Sequence, residues 1–493
     1  MSEETLFLGR GGNGDVRLDL RYANRHGLVA GATGTGKTVT LQCLAEAFST
    51  AGVPVFLADV KGDLSGLCVA GSTSGKLGER AVKVGLDSYR AEAFPTVFWD
   101  VFGRLGHPVR TTVSEMGPLL FSRLLELNDT QAGVLDILFA AADDQGLALL
   151  DIDDLQAMLR FAVDNRKDLE REYGAVSPAS VSAIQRKLMV LERSGAGGFF
   201  GEPALEVSEL LRTDRYGKGF IHILEANELS QSPRLYGTVL LWLLAELFED
   251  LPEAGDVAKP RLVLIFDEAH LMFDDAPKAL VEKTEQVARL IRSKGVGLYF
   301  VTQSPLDIPS GIAGQLGNRI QHALRAFTEN DRRSVRAVAG SFRTNPAFDA
   351  EIAITELGVG EALVSTLGKG GVPSVVERTL LRPPASRIGM ASAEERGAAQ
   401  SWSPWAGRYD NPVNRESAFE ILSVRTERMS REAADAAARA EEQREQRQAS
   451  SRPRGRSREG IGEAMMKSVV RSIGSRVGRE IVRGILGSIF KGR

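Results

Sequence analysis

The sequence has no long hydrophobic run. Its longest apolar stretch, residues 239–248, is short and contains Glu246. A membrane-spanning helix needs about 20 apolar residues, so none is expected. Cysteines are scarce: Cys43 and Cys68 fit neither a disulfide framework nor a zinc spacing. They are expected as small buried thiols in a reducing cytoplasm. The five histidines show no metal-ligand spacing. An excess of positive charge is also missing, since 61 Lys and Arg face 64 Asp and Glu for a formal net charge of −3. A cationic coat is excluded, and any nucleic-acid contact must come from a local patch. The first residues, MSEETLFLGR, lack the apolar core of a signal peptide. No repeat of solenoid length is present.

What remains is a chain of 493 residues, 43% hydrophobic and 25% charged, an ordinary globular composition. It is long enough for several cores or one elaborated domain. Its texture changes along its length. Residues 1–110 alternate short apolar runs with glycine-rich turns. Residues 28–30 and 55–58 read as buried strands, and 37–50 between them as a helix, a β-α-β unit that implies a parallel sheet. Residues 111–215 carry helical spacing and few strand signals, so they read as a mainly helical insertion. Residues 216–381 return to the α/β texture, with apolar runs at 220–224, 262–266, 298–301 and 361–367. The two α/β parts are expected to form one sheet. Residues 382–424 read as a linker or strap, and 425–459 as a charged helix with a flexible hinge. Residues 460–493 form a basic amphipathic tail, with seven Lys and Arg against two Glu after Gly460. An apolar stripe at helical spacing predicts a helix that folds against a surface. That surface is a groove of the chain's own assembly, a nucleic acid, a protein partner or an anionic membrane. A cytoplasmic location follows, with attachment to the inner membrane face left open.

Residues 31–38 read GATGTGKT, a complete G-x-x-x-x-G-K-T phosphate loop. Phosphate needs many donors at close range. Gly31, Gly34 and Gly36 let the backbone turn its N–H groups inward, and the following helix adds its positive N-terminal end. The expected nucleotide contacts are Gly31, Ala32, Thr33, Gly34, Thr35, Gly36, Lys37, Thr38 and Val39. Lys37 supplies charge at the β- and γ-phosphates, and Thr38 a hydroxyl ligand for Mg2+. The bland alternative, a glycine-rich turn with an incidental lysine, does not explain why the match falls between a predicted strand and a predicted helix. ATP with Mg2+ is the expected cofactor.

Two more strand ends add chemistry. Residues 261–270, RLVLIFDEAH, form an apolar strand that ends in Asp267 and Glu268. Ligands bind at the carboxyl ends of parallel strands, so Asp267 is expected at the magnesium and Glu268 as general base for water. An Asp-Glu pair can also simply open a helix; the upstream phosphate loop favours the catalytic reading. Residues 298–301 lead into Thr302-Gln303-Ser304-Pro305, where Gln303 is placed to sense the γ-phosphate or the lytic water.

Five segments in order, NRHGLVAGATGTGKTVTLQ, ADVKGDLSG, LVLIFDEAHLMF, VTQSPLDIP and LGNRIQHALRAFTENDRR, resemble the HerA-like P-loop ATPases of the HerA/FtsK superfamily, most of all the bacterial YjgR-type branch. The resemblance covers about residues 1–390. It implies an α/β fold, a RecA-like P-loop NTPase with a mainly parallel sheet, to which the helical insertion and the helical basic tail are added. It implies a homo-oligomeric, hexameric ring that translocates double-stranded DNA. It carries over Lys37, Thr38, Asp267, Glu268 and Gln303 as site residues. It places the acids Asp59 and Asp63 of the second segment near the nucleotide. An arginine completing the neighbour's site is expected from Arg289, Arg292, Arg319 or Arg325, with Arg319 first because it lies in a family-like block. About 27 residues precede the phosphate-loop strand, too few for the N-terminal β-barrel of archaeal HerA, which argues against that protein's DNA-end role. A switch that remodels protein partners and a membrane-surface ATPase use the same hydrolysis chemistry, and the motifs do not separate them.

Overall fold

A computed structural model describes residues 4–274, 276 and 278–450. Residues 451–459 of the hinge expected at 449–459, and the basic tail at 460–493, lie outside these described residues. The chain divides into two units, Met1–Ala418 and Phe419–Arg493.

The first unit opens with β1 (Thr5–Gly11) and β2 (Gly14–Asp19), followed by β3 (Gly27–Ala30), α1 (Lys37–Thr50), β4 (Val55–Asp59), α2 (Gly75–Lys83), β5 (Thr96–Asp100) and β6 (His107–Pro108). Five helices come next: α3 (Val113–Leu124), α4 (Asp129–Asp144), α5 (Ile152–Asp164), α6 (Arg166–Glu172) and α7 (Pro178–Arg193). The strands resume with β7 (Ile221–Glu225), α8 (Pro233–Asp250), β8 (Leu262–Phe266), α9 (Lys278–Leu290), β9 (Val296–Thr302), α10 (Ser310–Ala313) and β10 (Asn318–Gln321). The unit closes with α11 (Glu329–Ala339), α12 (Ala350–Glu356), β11 (Glu361–Ser365), β12 (Glu377–Leu381) and α13 (Ala393–Ser401). In the second unit the described residues form one helix, α14 (Ala418–Ser450), with i,i+4 ion pairs such as Glu427 to Arg431.

All twelve strands join one sheet in the order β2-β1-β12-β11-β10-β3-β9-β8-β4-β7-β5-β6. From β10 to β6 every pairing is parallel; from β10 back to β2 every pairing is antiparallel. Every residue of β3, β4, β5, β7, β8 and β9 is buried. Strands of a parallel sheet are covered on both faces, which is why they read as unbroken apolar runs.

Two features add to the mainly parallel sheet that was expected. The N-terminal hairpin and β11–β12 add an antiparallel flank. Also, β3 and β4 are not neighbours: β9 and β8 lie between them. That insertion positions the site, because it brings the ends of β8 and β9 beside the phosphate loop.

The helices between 111 and 215 carry their own start signals. Thr112 with Glu115, Asn128 with Gln131 and Asp151 with Asp154 each make a reciprocal capping box. Beyond β12 the chain crosses the unit as a strap. The buried carboxylate of Glu46 in α1 accepts from the amides of Ala385 and Ser386 at 2.9 and 2.8 Å. Arg396 of α13 pairs with Glu225 at the end of β7. Trp405 and Tyr409 pack on Trp99 of β5, with ring centroids 6.0 and 5.5 Å away.

Candidate active site

The phosphate loop leaves β3 and ends at Gly36, the N-cap of α1, which has φ 107° and makes no side-chain cap bond. Glycine accepts that left-handed geometry without strain. The first amides of α1 therefore stay open to an anion. A Cβ at Gly31 would come within 2.5 Å of the His322 Cβ, so this position also needs glycine. The loop is braced from behind. Ala32 N donates to the carbonyl of Ala323 at 2.8 Å, and Gly360 N donates to that of Thr35 at 3.2 Å. Lys37 is buried, and its Nζ donates back to the carbonyls of Gly31 and Ala32. Burial pushes its pKa down, while the Glu268 charge pulls it up. Thr38 and Val39 lie half-buried on the first turn of α1; Thr33 and Gly34 are exposed at the loop crest, and Thr35 is buried.

The ends of β8 and β9 face this loop. Asp267 and Glu268 are each 7% exposed. Burial, with the neighbouring Glu268 charge, pushes the Asp267 carboxyl up to about 7. A buried acid so disfavoured as an anion fits a site whose balancing charge is a divalent cation. Among the described residues no cluster of three or more acidic, histidine or cysteine side chains could hold a metal alone. Mg2+ takes one or two protein ligands and fills its shell with phosphate and water. Thr38 and Asp267 are the residues that would hold it.

Glu268 has φ 46° and ψ 47°. Its carboxylate is met by three groups: Gln303 Nε2 at 3.5 Å from both oxygens, Lys61 Nζ at 3.6 Å and His270 Nδ1 at 3.6 Å. The Tyr236 hydroxyl of α8 donates to the carbonyl of Asp267, and Asp267 Oδ1 accepts from Glu268 N at 3.0 Å. Lys37, Asp267, Glu268 and Gln303 are thus brought together from strands far apart in sequence.

The remaining expected residues take the following places. Asp59 lies near enough for its charge to help raise Asp267, while its oxygens accept from the amides of Lys61, Gly62 and Leu64 at 3.2, 2.9 and 2.8 Å. Asp63 opens the 3-10 turn that follows. Arg319 is not joined to the Lys37–Glu268 cluster. It donates to the carbonyls of Leu316 and Ala313 at 3.2 and 3.4 Å and lines a cavity of about 560 Å³ with Phe273, Asp274 and Leu306. Burial pushes its pKa down. Arg289 pairs with Glu285 at 3.0 Å, and Arg292 lies 3.9 Å from Asp256. Two residues went unassigned in the sequence. Lys61 stands between the two acids that drew attention, and His322 buries its ring behind the loop with Nε2 3.0 Å from Thr40 Oγ1.

A family model described as helicase HerA-like C-terminal matches residues 5–493. The chain belongs to this HerA-like family. The family and the site together make it a P-loop ATPase. No curated protein matches the HerA-like chain. Solved structures share its fold at low identity. The bacterial conjugative coupling protein TrwB, lacking its N-terminal 70 residues, is 15% identical with a TM-score of 0.51, covering 79% of this chain and 92% of that one. VirB4 of Thermoanaerobacter pseudethanolicus is 17% identical with a TM-score of 0.50, covering 80% and 99%. Plasmid coupling protein TrwB in complex with the non-hydrolysable GTP analogue GDPNP is 15% identical with a TM-score of 0.50, covering 79% and 92%.

Proposed function

We propose that this HerA-like chain hydrolyses Mg-ATP as a homohexameric ring and uses the energy to translocate or remodel double-stranded DNA. The observation that carries the reading is the convergence of Lys37, Asp267, Glu268 and Gln303 at the open N-terminus of α1. The amides of residues 31–39 hold the phosphates. Lys37 leaves the loop carbonyls for the β- and γ-phosphate oxygens. Thr38 and Asp267 would hold Mg2+, which would supply positive charge to offset that built up on the transferring phosphoryl group. Glu268 takes a proton from water as the water oxygen bonds to the γ-phosphorus. The bond from that phosphorus to the β,γ-bridging oxygen breaks, giving ADP and phosphate. Gln303 orients the water, and Arg319 of a neighbouring copy completes the site.

The family gives this reading its direction, since its description names a helicase; the similar structures, named as conjugative and plasmid coupling proteins, support the fold. Turnover measured with and without duplex DNA tests it. Stimulation that falls steeply as salt rises is expected, because phosphate contacts release counterions. Turnover indifferent to DNA, but raised by a protein or by anionic vesicles, would overturn the DNA part and leave the hydrolysis part standing.

A further inference from the structure

Asp59 ends β4 with a carboxylate only 1% exposed, and three amides of the following turn close onto it. A buried acid wrapped in this way fixes the course of the turn. The turn leaves the backbone at Gly62 with φ 76° and holds the Lys61 side chain 43% exposed, its Nζ 3.6 Å from Glu268 Oε1. The end of β5 repeats the device: Asp100 accepts from the amides of Phe102, Arg104 and Leu105 at 2.9, 2.8 and 2.9 Å. There the cation, Arg104, is spent on Glu228 at 2.8 Å. At β4 the cation is delivered to the acid assigned as general base.

A lysine pair this exposed adds little to the fold, since surface ion pairs contribute about 0–1 kcal/mol. At 3.6 Å it is longer than a hydrogen bond, so it exchanges readily. Lysine carries its charge on a flexible four-carbon stem with three rotatable donors. A terminal phosphate presents three acceptor oxygens and more negative charge than one carboxylate. Lys61 stands within electrostatic reach of Lys37 and Asp267 as well, which places it at the phosphate end of the site.

We propose that Lys61 is the γ-phosphate sensor of this site. It pairs with Glu268 when no γ-phosphate is present, and moves its ammonium onto the γ-phosphate oxygens of ATP, leaving Glu268 to the water oriented by Gln303. The assignment rests on Glu268 acting on water and adds a discriminating contact from a third strand. Asp59 is then a positioning residue, acting through the turn that carries Lys61.

The test measures three quantities on the full chain and on Lys61→Ala and Lys61→Arg: affinity for Mg-ADP, affinity for a non-hydrolysable Mg-ATP analogue, and kcat. Lys61→Ala should keep its ADP affinity, lose about tenfold in analogue affinity, and lose about tenfold or more in kcat. Lys61→Arg keeps the charge and should recover part of the preference for the analogue over ADP. An unchanged analogue-to-ADP preference in Lys61→Ala would overturn the proposal. So would equal weakening of both nucleotides, which marks a merely structural role. Wild-type and Glu268→Gln controls separate the two readings. An inactive wild type would count against hydrolysis itself, whereas an active wild type, a dead Glu268→Gln and a normal Lys61→Ala would count against the sensor alone.

Discussion

Glu268 sits in the left-handed region at φ 46°, a conformation that costs a residue with a side chain about 1–2 kcal/mol. Such strain persists only where neighbours hold it. Here the Tyr236 hydroxyl holds the Asp267 carbonyl, and Asp267 Oδ1 holds Glu268 N. The result turns the Glu268 carboxylate toward Gln303 and Lys61. Its neighbour Asp267 yields a pH prediction. Burial raises that carboxyl from 3.8 to about 7, so without Mg2+ it carries a proton below that pH. Mg2+ needs the ionised form. Mg-nucleotide affinity should therefore fall as pH drops below about 7, with release of up to one proton per ion bound. Titration calorimetry in two buffers of different ionisation enthalpy should show that release in the wild type and not in Asp267→Asn. Equal proton release by both would show that another group titrates. The juxtaposed residues 31–38, Asp267, Glu268 and Gln303 could be singled out in the sequence because phosphate chemistry would demand such residue types at a loop and at strand ends. Lys61 and His322 were not, because their partners, Glu268 and Thr40, lie more than 200 positions away.

At the scale of elements, the deciding event is the entry of β8 and β9 between β4 and β3. The strands themselves could be read from their apolar runs. Their order could not, because it depends on pairing between segments more than 200 residues apart. The antiparallel flank stayed hidden for a related reason: β1 closes against β12 at the far end of the unit. His26 shows how the order is held. Its Nε2 donates to the Ala288 carbonyl of α9 at 2.7 Å, and its Nδ1 accepts from Leu298 N of β9 at 3.0 Å. The second bond requires the neutral ring, because a protonated Nδ1 has no lone pair to accept with. Burial pushes its pKa from 6.5 down to about 4. The folded chain keeps the ring neutral, while the unfolded chain takes up a proton below about 6.5. Its stabilising contribution is therefore complete above pH 6.5 and declines as pH falls toward 4. His26→Ala should lose about 1–3 kcal/mol of stability at pH 7 and lack this part of the acid dependence. Urea unfolding of both forms at pH 7 and pH 5 checks it; the same stability difference at both values would contradict the neutral-ring assignment.

On the scale of the whole molecule, Arg319 faces a cavity of about 560 Å³ and has no partner among the described acidic side chains within salt-bridge distance. Its guanidinium donates to the carbonyls of Leu316 and Ala313, its neighbours in the chain. That geometry suits a group whose task lies in an adjacent copy. Subunits carrying Arg319→Ala, mixed with subunits carrying Lys37→Ala, should regain part of the turnover that each lacks alone. A monomer by light scattering at every concentration with turnover intact would rule out action between copies. In the sequence Arg319 stood out only by its place in a family-like block, since a partner in another copy would leave no local pattern.

The hydrolytic centre itself is tested most directly by single-turnover ATP cleavage in the wild type and in Glu268→Gln, with nucleotide binding measured on the same samples. Glu268→Gln should bind Mg-ATP as the wild type does and cleave it at least about a hundredfold more slowly, the scale of a lost general base. Normal cleavage by Glu268→Gln would contradict the account.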